Sequence, residues 1–415
     1  MPAVSPAALD VDRALERVLA AARPLGVEAV PLAAACGRVL GEDVLADRDS
    51  PPFDRSAMDG WAVRVEELEA LPRSLPVSGQ VRAGSEPAGP LAPGSAVQVM
   101  TGAPVPAGAN AVLPVERSRP AGDGRVELLE LPAAGAHIAR RGSEVRAGER
   151  VLEAGRRLSP AQIAVLAAFG VARVPVGRRP RVAYLVTGDE LVPVEATPRG
   201  AQIRNSNGPG LEQQIREAGG APWCLGVAPD ELEATAAALR PGLEGDVLLV
   251  SGGVSAGVYD LVEDAFARFG VEVLFDRVAV KPGAPLVFGR RGRCLVFGLP
   301  GNPVSAQVTF ELFARPALLR LQGARAVSRP RLEAELLGPL RNRSQRRAHL
   351  PVRLRFESGR ALAEPIRSRG SADLVAHARA DALAVLEAER TEAAAGERVT
   401  LLLLDGFGEE RSGAA

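Results

Sequence analysis

The stretch D246-V-L-L-V-S-G-G-V-S-A-G-V-Y-D260 decides the fold of this 415-residue chain. Val247 to Val250 form an unbroken apolar run, as expected of a strand buried on both faces. The glycines that follow permit positive φ and let backbone approach a ligand closely. A strand running through a glycine turn into a helix start makes an anion site, to which the hydroxyls of Ser251 and Ser255 beside Gly252 and Gly253 add donors. The flanking sequence repeats the pattern. V182-A-Y-L-V-T187, W223-C-L-G-V227 and C294-L-V-F-G298 read as further strands, and 271–280 as extended. Helices are expected over 209–218, 230–239, 259–269 and 302–321, the last kinked by Pro316. Residues 179–326 therefore read as a doubly wound, mostly parallel sheet with helices on both faces. Ligands of such sheets sit beyond the strand C-termini, where the loops T187-G-D-E-L, S251-G-G-V-S and L299-P-G-N-P all fall.

Outside this core the character changes. Residues 10–22 place Val11, Leu15, Val18 and Leu19 on one helical face, with Asp10 as N-cap. Residues 51–145 break into short apolar runs at Pro51-Pro52, Gly84-Ser85, Pro93-Gly94 and Pro106-Ala107-Gly108, the mark of a β-rich segment. S159-P-A-Q-I-A-V-L-A-A-F169 returns to helix, with Pro160 in the first turn. Segments 1–50 and 146–178 are expected to pack together as a helical or mixed linker domain, making 51–145 an insertion. From 327 to 415, apolar and polar positions alternate, predicting a C-terminal β-barrel or sandwich. The fold class is α/β and multidomain.

Composition excludes several classes. Lys+Arg and Asp+Glu both number 50, so nothing marks a general nucleic-acid binder or a polybasic membrane surface. No run approaches the roughly 18 apolar residues of a membrane span, and no leader pattern opens the chain; a cytoplasmic protein is expected. Cys36, Cys224 and Cys294 form no C-x-x-C pair, three histidines show no zinc spacing, and each cysteine reads as a small buried apolar residue.

Lys281 is the only lysine; the other 49 basic residues are arginine. A compact ammonium kept at one place, between the backbone constraints of Pro282 and Gly283, points to anion chemistry that an Arg fork cannot mimic. Carboxylates gather in loops: Asp59 in S56-A-M-D-G-W-A62, Asp189 and Glu190 after Thr187, Asp230 and Asp260. Mg²⁺ takes one or two carboxylates plus substrate phosphates and water. Asp260 and Asp230 can instead cap helices, the favoured reading for Asp230, and Asp59 can be a turn residue. Thr101, in M100-T-G-A-P, is either an oxyanion donor or a hairpin corner. The runs R341-N-R-S-Q-R-R347 and H137-I-A-R-R-G-S-E144 are either solvated surface or an anion clamp.

Together S56-A-M-D-G-W-A, M100-T-G-A-P-V-P-A-G, R141-G-S-E, T187-G-D-E-L, I203-R-N-S-N, S251-G-G-V-S-A-G-V-Y-D, K281-P-G and G298-L-P-G-N-P-V-S-A resemble the molybdopterin molybdenumtransferases, the MoeA and gephyrin E-domain family. The resemblance covers essentially the whole chain. It implies a homodimer that inserts molybdate into adenylylated molybdopterin with Mg²⁺ and releases AMP, the partner's 51–145 domain completing the cleft. It also implies functional roles for Asp59, Thr101, Glu190, Asp230, Asp260, Lys281, Pro300, Gly301, Asn302 and Pro303, with Arg347 and Ser371 as looser matches. Glu190, Asp260 and Asp59 are the implied metal ligands. The chain departs from the family pattern at Ala284, where a second lysine is usual; Arg277 or an arginine of 341–347 is the expected substitute. Two other readings are a non-catalytic molybdopterin-binding scaffold of the same fold and the related molybdopterin adenylyltransferase. That adenylyltransferase also counts as a potential partner, whereas nucleic acid and membrane do not.

Overall fold

In the computed structural model, residues 8–252 and 261–404 are described. Six strands form the central sheet in the spatial order Ala221–Ala228, Arg181–Thr187, Val247–Ser251, Cys294–Leu299, Pro285–Arg291, Glu272–Arg277. The first four run parallel. Pro285–Arg291 runs antiparallel to both of its neighbours, so the expected mostly parallel sheet is observed. Alternation along its central strands divides the side chains cleanly. Val182, Tyr184, Val247, Leu249, Leu295 and Phe297 enter one buried cluster, while Ala183, Leu185, Leu248, Val250 and Val296 enter another. A sheet buried on both faces needs continuous apolar strands, which is why these runs do not alternate with polar residues.

Helix Val11–Ala21 joins the first cluster through Val11, Ala14 and Val18. Asp10 caps it, accepting from the Asp12 and Arg13 amides at 2.8 and 3.4 Å. The helix that starts at Pro303 runs to Leu321, and the disturbance expected at Pro316 takes the form of a π-helical turn over Phe310–Ala314. A proline removes one ladder donor, and the wider turn just before it absorbs the mismatch.

After residue 330 the chain closes a barrel. Strand Arg347–Glu357 pairs with Arg360–Pro365 and with Ala382–Leu386, and Arg331–Leu336 and Arg398–Leu403 complete the ring. Small residues such as Ala348, Ala363, Ala382 and Ala384 fill its interior. The barrel adjoins the central domain through the short strand Val280–Lys281, parallel to Arg347–Ala348, and through Val304 and Val308 against Leu383 and Leu402.

Contacts divide the chain into two units, Met1–Glu42 with Ala154–Ser159 and Arg173–Ala415, and Asp43–Glu153 with Pro160–Ala172. The second holds a six-stranded mixed sheet in the order Ala111–Pro114, Gly60–Val63, Ala96–Val99, Arg73–Val81, Arg125–Leu128, Ser118–Pro120, and the helix Pro160–Ala168. In the first unit, Val27–Pro31 pairs with Arg173–Gly177. Gly177 lies so close to the chain at Gln322 that a Cβ would stand 1.9 Å from its carbonyl oxygen. Gly177→Ala is therefore expected to destabilise this unit by about 3 kcal/mol, read as a lowered denaturation midpoint, because backbone on both sides leaves nothing free to move.

Cys294 is buried as expected, with its thiol pushed up to about 12 by desolvation. Cys36 and Cys224 are exposed, correcting the expectation of three buried thiols. Cys36 follows a short 3-10 turn, and Cys224 lies on the edge strand of the sheet. Among the described residues no helix is long and apolar enough to cross a membrane.

Candidate functional site

The chain crosses from one side of the sheet to the other between strands Arg181–Thr187 and Val247–Ser251, and there the strand ends bring the predicted loops together. Ser251 is fully buried. It accepts from the Asn207 side-chain amide at 2.9 Å and donates to the Pro300 carbonyl at 3.3 Å. Asn207 also donates to the Gly301 carbonyl at 2.8 Å, and the Gly252 amide donates to Leu299 at 3.2 Å. Gly252 adopts φ +108°, and a Cβ there would stand 2.6 Å from both the carbonyl and the hydroxyl oxygen of Thr187. Glycine is required at that position. The Thr187 hydroxyl is buried against Gly252 with no hydrogen-bond partner among the described residues. Gly253, Ser255 and Asp260 lie outside the described residues.

Glu190 sits in the turn after Thr187, held by parallel pairing of Leu191–Val192 with Ile203–Arg204. Its carboxylate folds over Gly188, where a Cβ would stand 2.7 Å from Oε2. Asp189 accepts from the Asp230 amide at 3.1 Å, drawing Asp230 to the same end of the sheet. Asp230 does not cap the next helix: its N-cap is Glu231, which makes no side-chain capping bond. Among the described residues no three His, Cys, Asp or Glu side chains gather to hold a metal.

A second concavity, a cavity of about 530 Å³, opens between the Lys281 strand and the barrel. Lys281, Asn302, Arg341, Arg346 and Ser371 line it, and no Asp or Glu does among the described residues. Lys281 and Arg346 have no carboxylate partner among the described residues, whereas Arg341 reaches Glu392 at 3.5 Å. The segment 300–305 links the two places. Pro300 and Gly301 bond to Ser251 and Asn207, and Asn302 and Ser305 face the cavity. Pro303 opens the helix with Asn302 as N-cap, and the Val304 amide donates to the Ser371 carbonyl at 3.0 Å.

Arg347 does not line this cavity. It forms a bidentate pair with Asp12 at 2.8 Å and reaches Glu387 at 2.7 Å, contacts that push its pKa up despite partial burial. Arg346 lies in the bend just before strand Arg347–Glu357 and lines the cavity, whereas the bonds to Asp12 and Glu387 hold the Arg347 side chain elsewhere. Arg277 is likewise absent from its lining. Sequence reading named the run 341–347 without singling out Arg346, and it missed His349, His377 and Thr187; the signal for the histidines was their scarcity, two of only three in the chain.

Asp59 and Thr101 belong to the other unit, where they meet. One oxygen of Asp59 accepts from the Thr101 amide at 2.6 Å and from its hydroxyl at 2.7 Å. These two bonds, the backbone one first, hold the exposed carboxyl below the usual range. Thr101→Val is expected to raise the Asp59 pKa, but not fully, since the amide remains; a carboxyl-carbon NMR titration reads the shift. Arg140 and Arg141 pair with Asp54 and Asp49, and Glu144 with Arg55, so this run is a laced surface.

Comparison with known proteins gives these features a context. Residues 9–170 match the family model described as MoeA N-terminal region (domain I and II), 183–320 that of a probable molybdopterin binding domain, and 333–404 the MoeA C-terminal region (domain IV). Molybdopterin molybdenumtransferase 2 of Mycobacterium tuberculosis is 40% identical over 81% of this chain and 86% of its own length. The molybdopterin molybdenumtransferase of Haemophilus influenzae is 34% identical over 91% of this chain and 94% of its own. The crystal structure of the molybdopterin biosynthesis moeA protein from Pyrococcus horikoshii OT3 superposes with a TM-score of 0.83 at 30% identity, covering 96% of this chain and all of that one.

Proposed function

The chain belongs to the MoeA family, the molybdopterin molybdenumtransferases, and from that membership we propose that it is a transferase of molybdenum cofactor biosynthesis that inserts molybdate into adenylylated molybdopterin and releases AMP. The observation that carries this reading is the pairing of two anion-suited surfaces by one segment, 300–305. A glycine cradle stands at the strand ends, and a carboxylate-free cavity surrounds the only lysine. The pterin nucleotide lies across Gly252 and Gly301. Molybdate, as substrate, sits beside Lys281 and Arg346. Ammonium and guanidinium donors already in place around an oxyanion supply charge stabilisation that needs little reorganisation during reaction.

Mg²⁺, when bound, neutralises phosphate oxygens at the anhydride. The described residues offer it Glu190, over the space that Gly188 leaves open, which suits an ion whose other ligands are substrate oxygens and water. Asp260 is the second ligand in this proposal. Asp59, set in place by Thr101, acts from a partner copy in a homodimer, and the protein works in the cytoplasm. Flanking regions matched on both sides of the central domain favour this reading over the adenylyltransferase. A scaffold that binds without turnover is the second reading, motivated by the alanine at 284 in the cavity wall. Incubation of the full chain with adenylylated molybdopterin, Mg²⁺ and molybdate, with AMP measured by chromatography, separates them. Molybdate-dependent AMP release is expected; a bound nucleotide that stays intact contradicts the proposal.

A further inference from the structure

The cavity beside Lys281 gathers residue types that this chain hardly uses elsewhere. Its one lysine and two of its three histidines, His349 and His377, line the same wall space. His349 lies on the barrel strand Arg347–Glu357 and is only 4% exposed. His377 sits on the short helix Leu374–Ala378 that packs near the start of helix Pro303–Thr309. Neither ring makes a hydrogen bond to another described residue, and Nδ1 of each is buried without a partner. With Nδ1 shut off from the cavity, Nε2 is the ring nitrogen left to meet a ligand, and a bare Nδ1 is the less costly buried state, which puts the proton on Nε2. Burial drives the His349 pKa down to about 3, and the charges of Arg347 and Arg331 add to it. Burial lowers His377 as well. Both rings are neutral near pH 7, and a neutral imidazole contributes one N–H donor without adding charge.

The charge count of the cavity then has meaning. Arg341 has Glu392 within 3.5 Å, which leaves Lys281 and Arg346 as the two cations unmatched by carboxylate among the described residues. Two unmatched positive charges suit a dianion. The remaining polar groups around it, Asn302, Ser305, Ser368 and Ser371, can all donate, and no carboxylate stands by to accept a proton from the ligand. A tetrahedral dianion with no proton finds donors throughout. Hydrogen phosphate, which carries one, finds only neutral acceptors here.

We propose that His349 and His377 are specificity-determining residues of this cavity, neutral N–H donors that select a proton-free tetrahedral dianion over a protonated one. The inference rests on the placement of the oxyanion beside Lys281 given above. Titration calorimetry of the full chain with molybdate and with inorganic phosphate at neutral pH tests both, with thermal melting of every variant as a fold control. Wild type is expected to bind molybdate at least tenfold tighter than phosphate, and Lys281→Met to lose molybdate. His349→Phe and His377→Leu are expected to weaken molybdate about tenfold while changing phosphate less than threefold, so that the selectivity ratio collapses. His377→Gln, which restores an N–H, is expected to recover most of it. Variants that melt like wild type and keep the ratio overturn the histidine role and leave the oxyanion site standing. A Lys281→Met variant that binds molybdate like wild type overturns the site itself. Should His349→Phe fail to fold, the two variants at the half-buried His377 decide alone.

Discussion

Glu190→Gln is expected to lower molybdate-dependent AMP release on the order of 10²-fold while leaving the dissociation constant of the nucleotide within about threefold of wild type. The asymmetry follows from where the residue stands. Its carboxylate lies over Gly188 at the end of the Thr187 strand, beside but not within the backbone cradle of Gly252 and Gly301. In the proposed reading the nucleotide rests on the backbone at Gly252 and Gly301, which the substitution does not touch. A glutamine amide keeps the size and loses the charge that would hold Mg²⁺ against the phosphates. Initial-rate kinetics and calorimetry on the same preparation check this. Equal loss of rate and binding would make Glu190 a binding residue, and no loss would remove it from the site.

Lys281→Arg is the second large effect, a fall in turnover on the order of 10²-fold in spite of the retained charge. The ammonium stands in a cavity that already holds Arg341 and Arg346 and no carboxylate among the described residues. A guanidinium there adds a rigid planar fork beside two others, taking the space of the oxyanion and directing its donors along fixed lines. The polypeptide at this point cannot move aside easily: Gly283 has φ +110° and a Cβ there would stand 2.4 Å from Thr309 Cγ2. The expected signature is a raised KM for molybdate together with a lowered kcat. Near-normal kinetics would mean that only the charge matters, and that the scarcity of lysine in this chain has no bearing on the site.

How much of this was legible in the residues varies with the range of the forces involved. The central sheet was readable because Val182–Val186, Val247–Val250 and Leu295–Phe297 are apolar on both parities, a local signature of burial on two faces. The loops at its C-terminal end followed from the topology of any such sheet. Barrel closure was not readable. Strand Arg347–Glu357 pairs with both Arg360–Pro365 and Ala382–Leu386, and the second pairing depends on contacts about thirty residues apart. Which arginine of the run 341–347 lines the Lys281 cavity was not readable either, because ion pairs with Asp12 and Glu387, distant in sequence, hold Arg347 away from it. The sequence run R341-N-R-S-Q-R-R347 carries no mark of those partners. His349 and His377 read as scattered because their common cavity is assembled from four separate stretches of chain. Asp59 and Thr101 were named singly, and their bond across two loops of the β-rich unit emerges only from its fold.

The central claim is that a phosphate-bearing nucleotide rests on the Gly252 and Gly301 backbone while the oxyanion occupies the Lys281 cavity. A crystal of the full chain soaked with AMP and molybdate, with anomalous data collected at the molybdenum edge, tests it most directly. The account predicts an anomalous peak within hydrogen-bonding reach of Lys281 Nζ and Arg346, and the AMP phosphate against the amides after Ser251. A peak outside that cavity, or a nucleotide seated away from the glycine cradle, would contradict it.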